Sequence, residues 1–170
     1  MMRLALVAAL LLLPLSACSK QGKQAALPPP QEISASSTAQ FCGMLLSEHS
    51  GPKGQIFVRG NPQPLWFASV RDTLAFTLMP ETPKDIAAIY VSDMGRAKNW
   101  DQPERGAWIE AHRALYVIGS RARSGMNADE TVPFGDADAA RRFAVENGGR
   151  VVAFADIPQS FVLSSNGDGS

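Results

Sequence analysis

Residues 67–76 read FASVRDTLAF and residues 134–143 read FGDADAARRF, and these two stretches decide the fold. Each opens with a phenylalanine two places before a residue that can cap a helix, Ser69 or Asp136. Each closes with a second phenylalanine on the helix that follows, and the two stretches align at a constant offset of 67 positions. The repeat predicts two related units with one helix in each.

The rest of each unit is predicted from apolar runs and turn residues. Helices are expected over 70–79, ended by prolines, and over 137–147, closed by a pair of glycines. Short apolar runs bounded by turn residues predict strands over 41–47, 54–59, 86–92, 112–120, 131–134 and 150–155. A second match, at an offset of 63, aligns IYVSDM (89–94) with VAFADI (152–157). We therefore predict an α+β fold of two ββαβ units, over 41–96 and 97–163, followed by a disordered tail over 164–170.

The N-terminus has the layout of a secretory signal. Arg3 precedes an apolar run from Leu4 to Leu13, which is too short to cross a membrane as a helix. The run is followed by LSAC at positions 15–18, which resembles the bacterial lipobox. We predict that residues 1–17 are a cleaved signal peptide and that Cys18 carries the lipid.

Residues 18–40 are predicted to be a lipidated, flexible tether. They are rich in Gln, Ser, Ala and Pro and show no strand or helix period, so they have little apolar surface to bury. The serine after Cys18 favours sorting to the outer membrane. The protein is therefore expected in the periplasm, held by its lipid anchor.

Composition argues against several functions. The 170 residues include 16 basic and 16 acidic ones without a basic cluster, so nucleic-acid binding is not expected. No Gly-x-Ser-x-Gly, His-Glu-x-x-His or phosphate loop is found, so no enzyme is predicted. Once Cys18 is lipidated, Cys42 is the one remaining thiol, and an unpaired thiol in an oxidising compartment is a candidate functional group.

Cys42 and Met44 form the candidate metal site. In a strand, residues i and i+2 point to the same face, so the two sulfur atoms are expected side by side. A thiolate and a thioether are soft ligands, which select Cu(I). The alternative is that Cys42 is a small buried hydrophobe and that Met44 fills a gap in the core.

A pair of residues supplies only two ligands, so further donors are expected from elsewhere. Met126 is the best candidate, because a methionine in the polar stretch SRARSGMNADE (120–130) has little reason to be there for packing. Met94, at a strand end, is also possible, whereas Met79 is expected in the core. His49 is expected to be solvated at a turn, and His112 is the weaker histidine candidate.

Five segments together resemble the NosL family, the accessory copper lipoproteins of nitrous oxide reductase. The likeness covers nearly all of the chain after the tether, and the lipobox also fits the family. The segments are FCGMLLSEHSGPKGQIFVRG (41–60), PLWFASVRDTLAFTLMPE (64–81), AAIYVSDMG (87–95), ALYVIGSRARSGMNADETVPF (114–134) and AARRFAVENGGRVVAF (139–154).

The resemblance implies a periplasmic Cu(I) chaperone in which Cys42 and Met44 bind the ion. The implied partners are the complex of NosD with its ABC transporter and, through it, nitrous oxide reductase, whose copper–sulfide centre needs copper. The implied fold is two ββαβ units that resemble organomercurial lyase. Because that enzyme uses a pair of cysteines and an acid, and this chain has one free cysteine, lyase activity is not expected.

Two other functions stay open at this point. Cys42 could serve a thiol-dependent periplasmic redox enzyme or hydrolase, which would need a histidine and an orienting third group close by. Alternatively, the chain could be a structural lipoprotein domain that binds no metal.

Overall fold

The computed structural model describes residues 26–103 and 105–164, which form two antiparallel sheets flanked by helices. The first sheet has the order β2-β1-β3-β4 and the second has the order β6-β5-β7. The elements are β1 (Gly54–Val58), β2 (Leu65–Phe67), α1 (Val70–Leu78), β3 (Ile86–Ser92), β4 (Trp108–Glu110), β5 (Leu115–Ile118), β6 (Val132–Phe134), α2 (Ala137–Asn147), β7 (Arg150–Ala153) and α3 (Gln159–Leu163). The predicted α+β class is confirmed.

The two units have the same order of elements, β1-β2-α1-β3 and β5-β6-α2-β7, and in each the first strand lies in the middle. The repeated phenylalanines occupy equivalent places. The ring centroids of Phe67 and Phe76 are 5.1 Å apart, and those of Phe134 and Phe143 are 5.2 Å apart. In each unit, the aromatic residue that ends the second strand therefore packs against the helix that follows it.

The strand registers correct the second sequence match by one residue. Gly54 of β1 lies opposite Phe67 and Val91, whereas Leu115 of β5 lies opposite Phe134 and Ala153. Val91 is therefore equivalent to Ala153, an offset of 62 rather than the expected 63. The error is structurally important, because a shift of one residue moves a strand side chain to the opposite face of the sheet.

Both long helices begin where their capping residues predict. The Ser69 hydroxyl accepts a hydrogen bond from the Asp72 N–H at 3.0 Å, and the Asp136 carboxylate accepts one from the Ala139 N–H at 2.8 Å. Each bond satisfies a backbone donor that the first turn of a helix leaves free. α2 ends at Asn147 and is capped by Gly148, whose φ of 78° is costly for residues with a side chain.

One apolar cluster joins the two units. It contains Ile56 and Phe67 from the first unit together with Tyr116 and Val152 from the second. Tyr116 is fully buried, and its hydroxyl donates to the Ala111 carbonyl at 2.7 Å, so its polar atom is satisfied inside the core. The repeated units therefore share a core.

Several predicted elements differ from the structure. The apolar run 41–47 is not a strand: a turn covers its start and a 3-10 helix covers Leu46–Glu48. The expected strand 112–120 is reduced to β5, because Ala111–Arg113 form a 3-10 helix. The expected strand 150–155 is likewise shortened: β7 ends at Ala153, because Phe154–Asp156 form another 3-10 helix. The short β2, β4 and α3 were not anticipated, and β4 joins the first sheet although it lies within 97–163, the range predicted for the second unit.

The predicted flexible tether is wrong for residues 28–40, which pack against the domain. Buried Gln55 accepts a hydrogen bond from the Gln31 N–H at 2.9 Å and donates one to the Gln31 carbonyl at 3.0 Å. The Tyr90 hydroxyl donates to the Pro28 carbonyl at 2.7 Å, and Ile33 packs against an apolar cluster that includes Ala39. We call residues 28–40 the strap.

The two ends of the chain are described only in part. The signal peptide predicted over 1–17 and the lipidated Cys18 lie outside the described residues, as do residues 165–170 of the predicted tail. Ser164, the first residue of that tail, is not loose: its carbonyl accepts a hydrogen bond from the Arg71 guanidinium. Within residues 26–103 and 105–164, no helix is long and apolar enough to span a bilayer.

Candidate metal centre

Cys42 lies in a tight hairpin loop rather than in a strand. The Gly43 N–H donates to the Ala39 carbonyl at 2.8 Å, and the Ala39 N–H donates to the Met44 carbonyl at 2.9 Å. Gly43 has a φ of 69°, a left-handed conformation that glycine adopts without strain. The chain therefore reverses between Cys42 and Met44, and the same-face argument from strand geometry does not apply. We call residues 39–44 the Cys42 hairpin.

Phe41 and the strap hold this hairpin in place. The Phe41 ring meets the Phe67 ring edge-on, with centroids 5.7 Å apart, and lies 6.1 Å from the Phe76 ring. The Gln40 N–H donates to the Trp66 carbonyl at 2.7 Å. The hairpin is thus attached to the aromatic residues of the first ββαβ unit, the same residues that the sequence repeat singles out.

Neither residue of the predicted pair is sealed in the core. Cys42 is partly buried against the cluster of Ala39, Leu46 and Ala68, and Met44 is 48% exposed. Both side chains are accessible from solvent, which an ion arriving from another protein requires.

His49 is the residue that sequence reasoning misjudged. It was expected to be solvated, but it is 4% exposed, and its Nε2 lies 3.6 Å from the Cys42 Sγ. Its Nδ1 is buried and has no hydrogen-bond partner among the described residues. The 3-10 turn at Leu46–Glu48 brings the chain back, and the His49 N–H donates to the Leu46 carbonyl at 3.2 Å.

Met126 lies at the tip of a second loop, which contacts the His49 segment. Met126 is 53% exposed, and the residue before it, Gly125, packs against the backbone of His49 and Ser50. The structure therefore brings the loop of the third predicted ligand to the histidine that contacts Cys42. Met126 also borders an open cavity of about 270 Å³ lined in part by Arg71 and Leu163.

The other candidates lie elsewhere. Met94 packs against the apolar cluster of the second unit, and Met79 is the C-terminal cap of α1. His112 forms a hydrogen bond with the Glu110 carboxylate at 2.6 Å and packs against the ring of Phe154. None of the contacts described for these residues reaches the Cys42 hairpin.

One acidic group that interacts with His49, Asp72, has a raised pKa. Burial raises the pKa of Asp72 above its usual range, although the Ser69 hydroxyl and the charges of Arg71 and His49 oppose the shift.

Across residues 26–103 and 105–164, no three His, Cys, Asp or Glu side chains come together to form a metal site. A metal held at Cys42 therefore needs methionine sulfur or donors from a partner, and this donor chemistry suits a soft ion.

Comparison with known proteins identifies the family. The NosL family model matches residues 30–162, and the chain belongs to the NosL family. It is 46% identical to the copper-binding lipoprotein NosL of Achromobacter cycloclastes, over 99% of this chain and 86% of that protein. It is 32% identical to the protein of the same name from Stutzerimonas stutzeri, over 92% of this chain and 80% of that protein.

A solved structure supports the same assignment. The crystal structure of the copper chaperone NosL from Shewanella denitrificans superimposes with a TM-score of 0.72 at 31% identity, covering 78% of this chain and 99% of that one. The predicted family membership is confirmed. Both curated relatives are named as copper-binding lipoproteins and not as enzymes.

Proposed function

We propose that this chain is a lipid-anchored periplasmic carrier of Cu(I), with no enzymatic activity of its own. Cys42 supplies a thiolate, Met44 and Met126 supply thioethers, and His49 supplies an imidazole nitrogen. The observation that carries the proposal is the Cys42–His49 pair: Sγ and Nε2 lie 3.6 Å apart, and the segments next to this pair carry the exposed Met44 and Met126.

Thiolate, thioether and imidazole donors suit Cu(I) and distinguish it from harder ions. Zinc sites use closed sets of cysteines and histidines, and magnesium or calcium sites use oxygen ligands. The exposed sides of Met44 and Met126 leave room for a partner's ligands to enter. Copper would then move by ligand exchange, one donor at a time, without being released into solution.

We propose that the copper goes to the complex of NosD with its ABC transporter, for assembly of the copper–sulfide centre of nitrous oxide reductase. The support is membership of the NosL family together with an accessible soft site. In cells that produce the Cys42→Ser variant, nitrous oxide reductase should be present but should lack copper in that centre. Full copper content in those cells would contradict this delivery role.

The anchor is proposed from the lipobox, with sorting to the outer membrane. Both curated relatives are named as lipoproteins, which supports an envelope location. Metabolic labelling with a radioactive fatty acid should mark the wild-type chain, and Cys18→Ser should abolish the label. Fractionation of the two membranes then tests the outer-membrane assignment.

The binding site is tested by titrating the reduced mature chain, kept in detergent, with Cu(I) against a chromogenic chelator. Wild type should bind one ion. Since loss of an outer-shell partner already costs about 10–100-fold in metal affinity, Cys42→Ser should cost at least that much. Met44→Leu and His49→Gln should weaken binding, whereas the matched control Met79→Leu should not. Unchanged uptake in both the Cys42 and Met44 variants would retire this site.

A thiol-dependent enzyme remains the second candidate, because a cysteine beside a histidine is also the core of thiol catalysis. Among the described residues His49 Nδ1 has no hydrogen-bond partner, which argues against an enzyme, since a catalytic imidazole is normally oriented by a third group. A turnover assay separates the two functions, because an accessible Cys42 thiol is expected in both. Turnover of a disulfide or ester substrate that disappears with Cys42→Ser would favour the enzyme.

A further inference from the structure

The loop that carries Met126 lies directly on the backbone of the His49 segment, and Gly125 makes this close approach possible. A Cβ atom at position 125 would lie 2.7 Å from the Ser50 nitrogen and 2.8 Å from both Cα and Cβ of His49. Two of these three atoms belong to the backbone and cannot rotate away. Any side chain at position 125 therefore forces the two segments apart.

The loop itself is tightly bonded. The Ser124 N–H donates to the Ala128 carbonyl at 2.9 Å, and the Asn127 N–H donates to the Ser124 carbonyl at 2.8 Å. The buried Ser124 hydroxyl also accepts hydrogen bonds from the N–H groups of Ala128 and Met126, at 3.2 and 3.4 Å. At the base of the loop, the backbones of Arg123 and Asp129 pair in an antiparallel β-bridge, and their side chains form an ion pair.

We propose that Gly125 is a positioning residue of the copper site. Its contact with His49 brings the loop to the Cys42–His49 pair, and the internal bonds of the loop hold Met126 at a fixed distance from that pair. The inference rests on the proposed function, because it assigns a role in the same site. A donor that is held in place before binding loses less conformational entropy when the ion arrives, so affinity depends on the loop as well as on the sulfur atom.

The test is a double-mutant cycle of Gly125→Ala and Met126→Leu, measured by Cu(I) competition on the mature chain. Each single variant should weaken binding, and Gly125→Ala should do so by about 10–100-fold, the usual effect of an outer-shell residue. In the Met126→Leu background, Gly125→Ala should cost no more than about twofold, because its effect acts through the methionine. X-ray absorption should show one sulfur ligand fewer in either single variant.

A second variant covers the case in which Gly125→Ala does not fold. Ser124→Ala removes the hydroxyl that bonds the loop and should act in the same direction. Its matched control is Ser120→Ala, which removes a buried hydroxyl that accepts from the Ala122 N–H at 3.3 Å, outside the contact with His49. The control should leave affinity unchanged.

Two results would overturn the inference while leaving the copper carrier intact. The first is full wild-type affinity in both Gly125→Ala and Ser124→Ala. The second is an equal loss from Gly125→Ala with and without Met126, which would mean that the glycine acts through His49 or the general fold and not by positioning Met126. If wild type itself takes up no Cu(I), the proposed function fails, and that result is distinct from either of these.

Discussion

Replacing Glu130 with glutamine is expected to reduce the pH dependence of stability between pH 5 and pH 7. Glu130 is 1% exposed, and its Oε1 accepts hydrogen bonds from the N–H groups of Arg71 and Thr131, at 3.1 and 2.8 Å. Its Oε2 has no hydrogen-bond partner within the described part of the chain. Burial raises the pKa of Glu130 from 4.5 to about 8, although the two N–H groups and Lys53 oppose the shift.

The raised pKa means that the folded protein holds a proton that the unfolded chain releases. Below pH 4.5 both states are protonated at Glu130, and as the pH rises towards 8 the folded state loses stability. Each pH unit in this range costs about 1.4 kcal/mol, so the step from pH 5 to pH 7 costs at most about 3 kcal/mol. Local relaxation around the carboxyl group lowers this value.

Two neighbouring groups do not obscure the measurement. Burial lowers the pKa of Lys53 to about 8, so Lys53 is protonated in both states below pH 7 and adds no slope there. The raised pKa of Asp72 adds a slope of the same sign in both proteins. The difference between the two proteins therefore reports the Glu130 carboxyl group together with its charge interactions with Asp72 and Lys53.

Urea unfolding at pH 5, 6 and 7 measures the effect. Wild type should lose free energy of unfolding as the pH rises, and Glu130→Gln should lose clearly less. Glutamine keeps an oxygen for the two N–H donors and adds no titratable group, so the variant is expected to fold. Equal slopes for the two proteins would refute the assignment of a buried, protonated Glu130.

Three further perturbations test the fold around the site. Ser69→Ala removes the cap that accepts the Asp72 N–H and should cost about 1 kcal/mol, seen as a lower thermal midpoint. Gln55→Leu removes both hydrogen bonds to Gln31, so deuterium exchange in the strap should accelerate while exchange in the central strands is retained. Phe76→Ala leaves a cavity beneath the Cys42 hairpin and should cost about 3–5 kcal/mol in denaturant unfolding, and a loss below 1 kcal/mol would contradict the packing described.

The parts of the fold that local chemistry controls were predicted well. α2 is found over the predicted residues, and β3 also has its predicted bounds. The paired phenylalanines locate equivalent positions in both units, because a cap and a helix-facing aromatic are separated by a fixed number of residues. Signals of this kind depend on neighbours in the sequence and need no knowledge of tertiary contacts.

The Cys42 hairpin shows where such reasoning ends. FCGMLLS has the composition of a strand, but the positive φ of Gly43 and the pairing of Thr38 with Leu45 turn it into a loop. The pairing depends on the strap, which composition alone marks as flexible. Its main anchor is a buried glutamine, Gln55, whose hydrogen bonds are not visible in any local pattern.

His49 was missed for a related reason. Seven positions separate it from Cys42: a strand would place the two residues on opposite faces, and an α-helix would place them two turns, about 10 Å, apart. The 3-10 turn between them brings the ring back to the thiol. A sequence signal did exist, since a histidine close after an unpaired cysteine offers an imidazole nitrogen, which also binds copper. The signal was discounted, because most histidines at turns are exposed to solvent, whereas His49 is buried.

The strap also limits how far the proposed copper site can travel. If Cys18 carries the lipid, ten peptide units separate the anchor from Pro28, where the strap begins to contact the domain. Ten residues span at most about 36 Å when fully extended, whatever conformation they adopt. Without the strap contacts, the same anchor would lie twenty-one residues from the Cys42 hairpin at Ala39, and the reach would be about twice as long. If the lipid is attached at Cys18, the packed strap shortens the reach from the anchor to the domain, and the copper ligands lie no farther from the membrane than this length plus the span of the domain between Pro28 and Cys42.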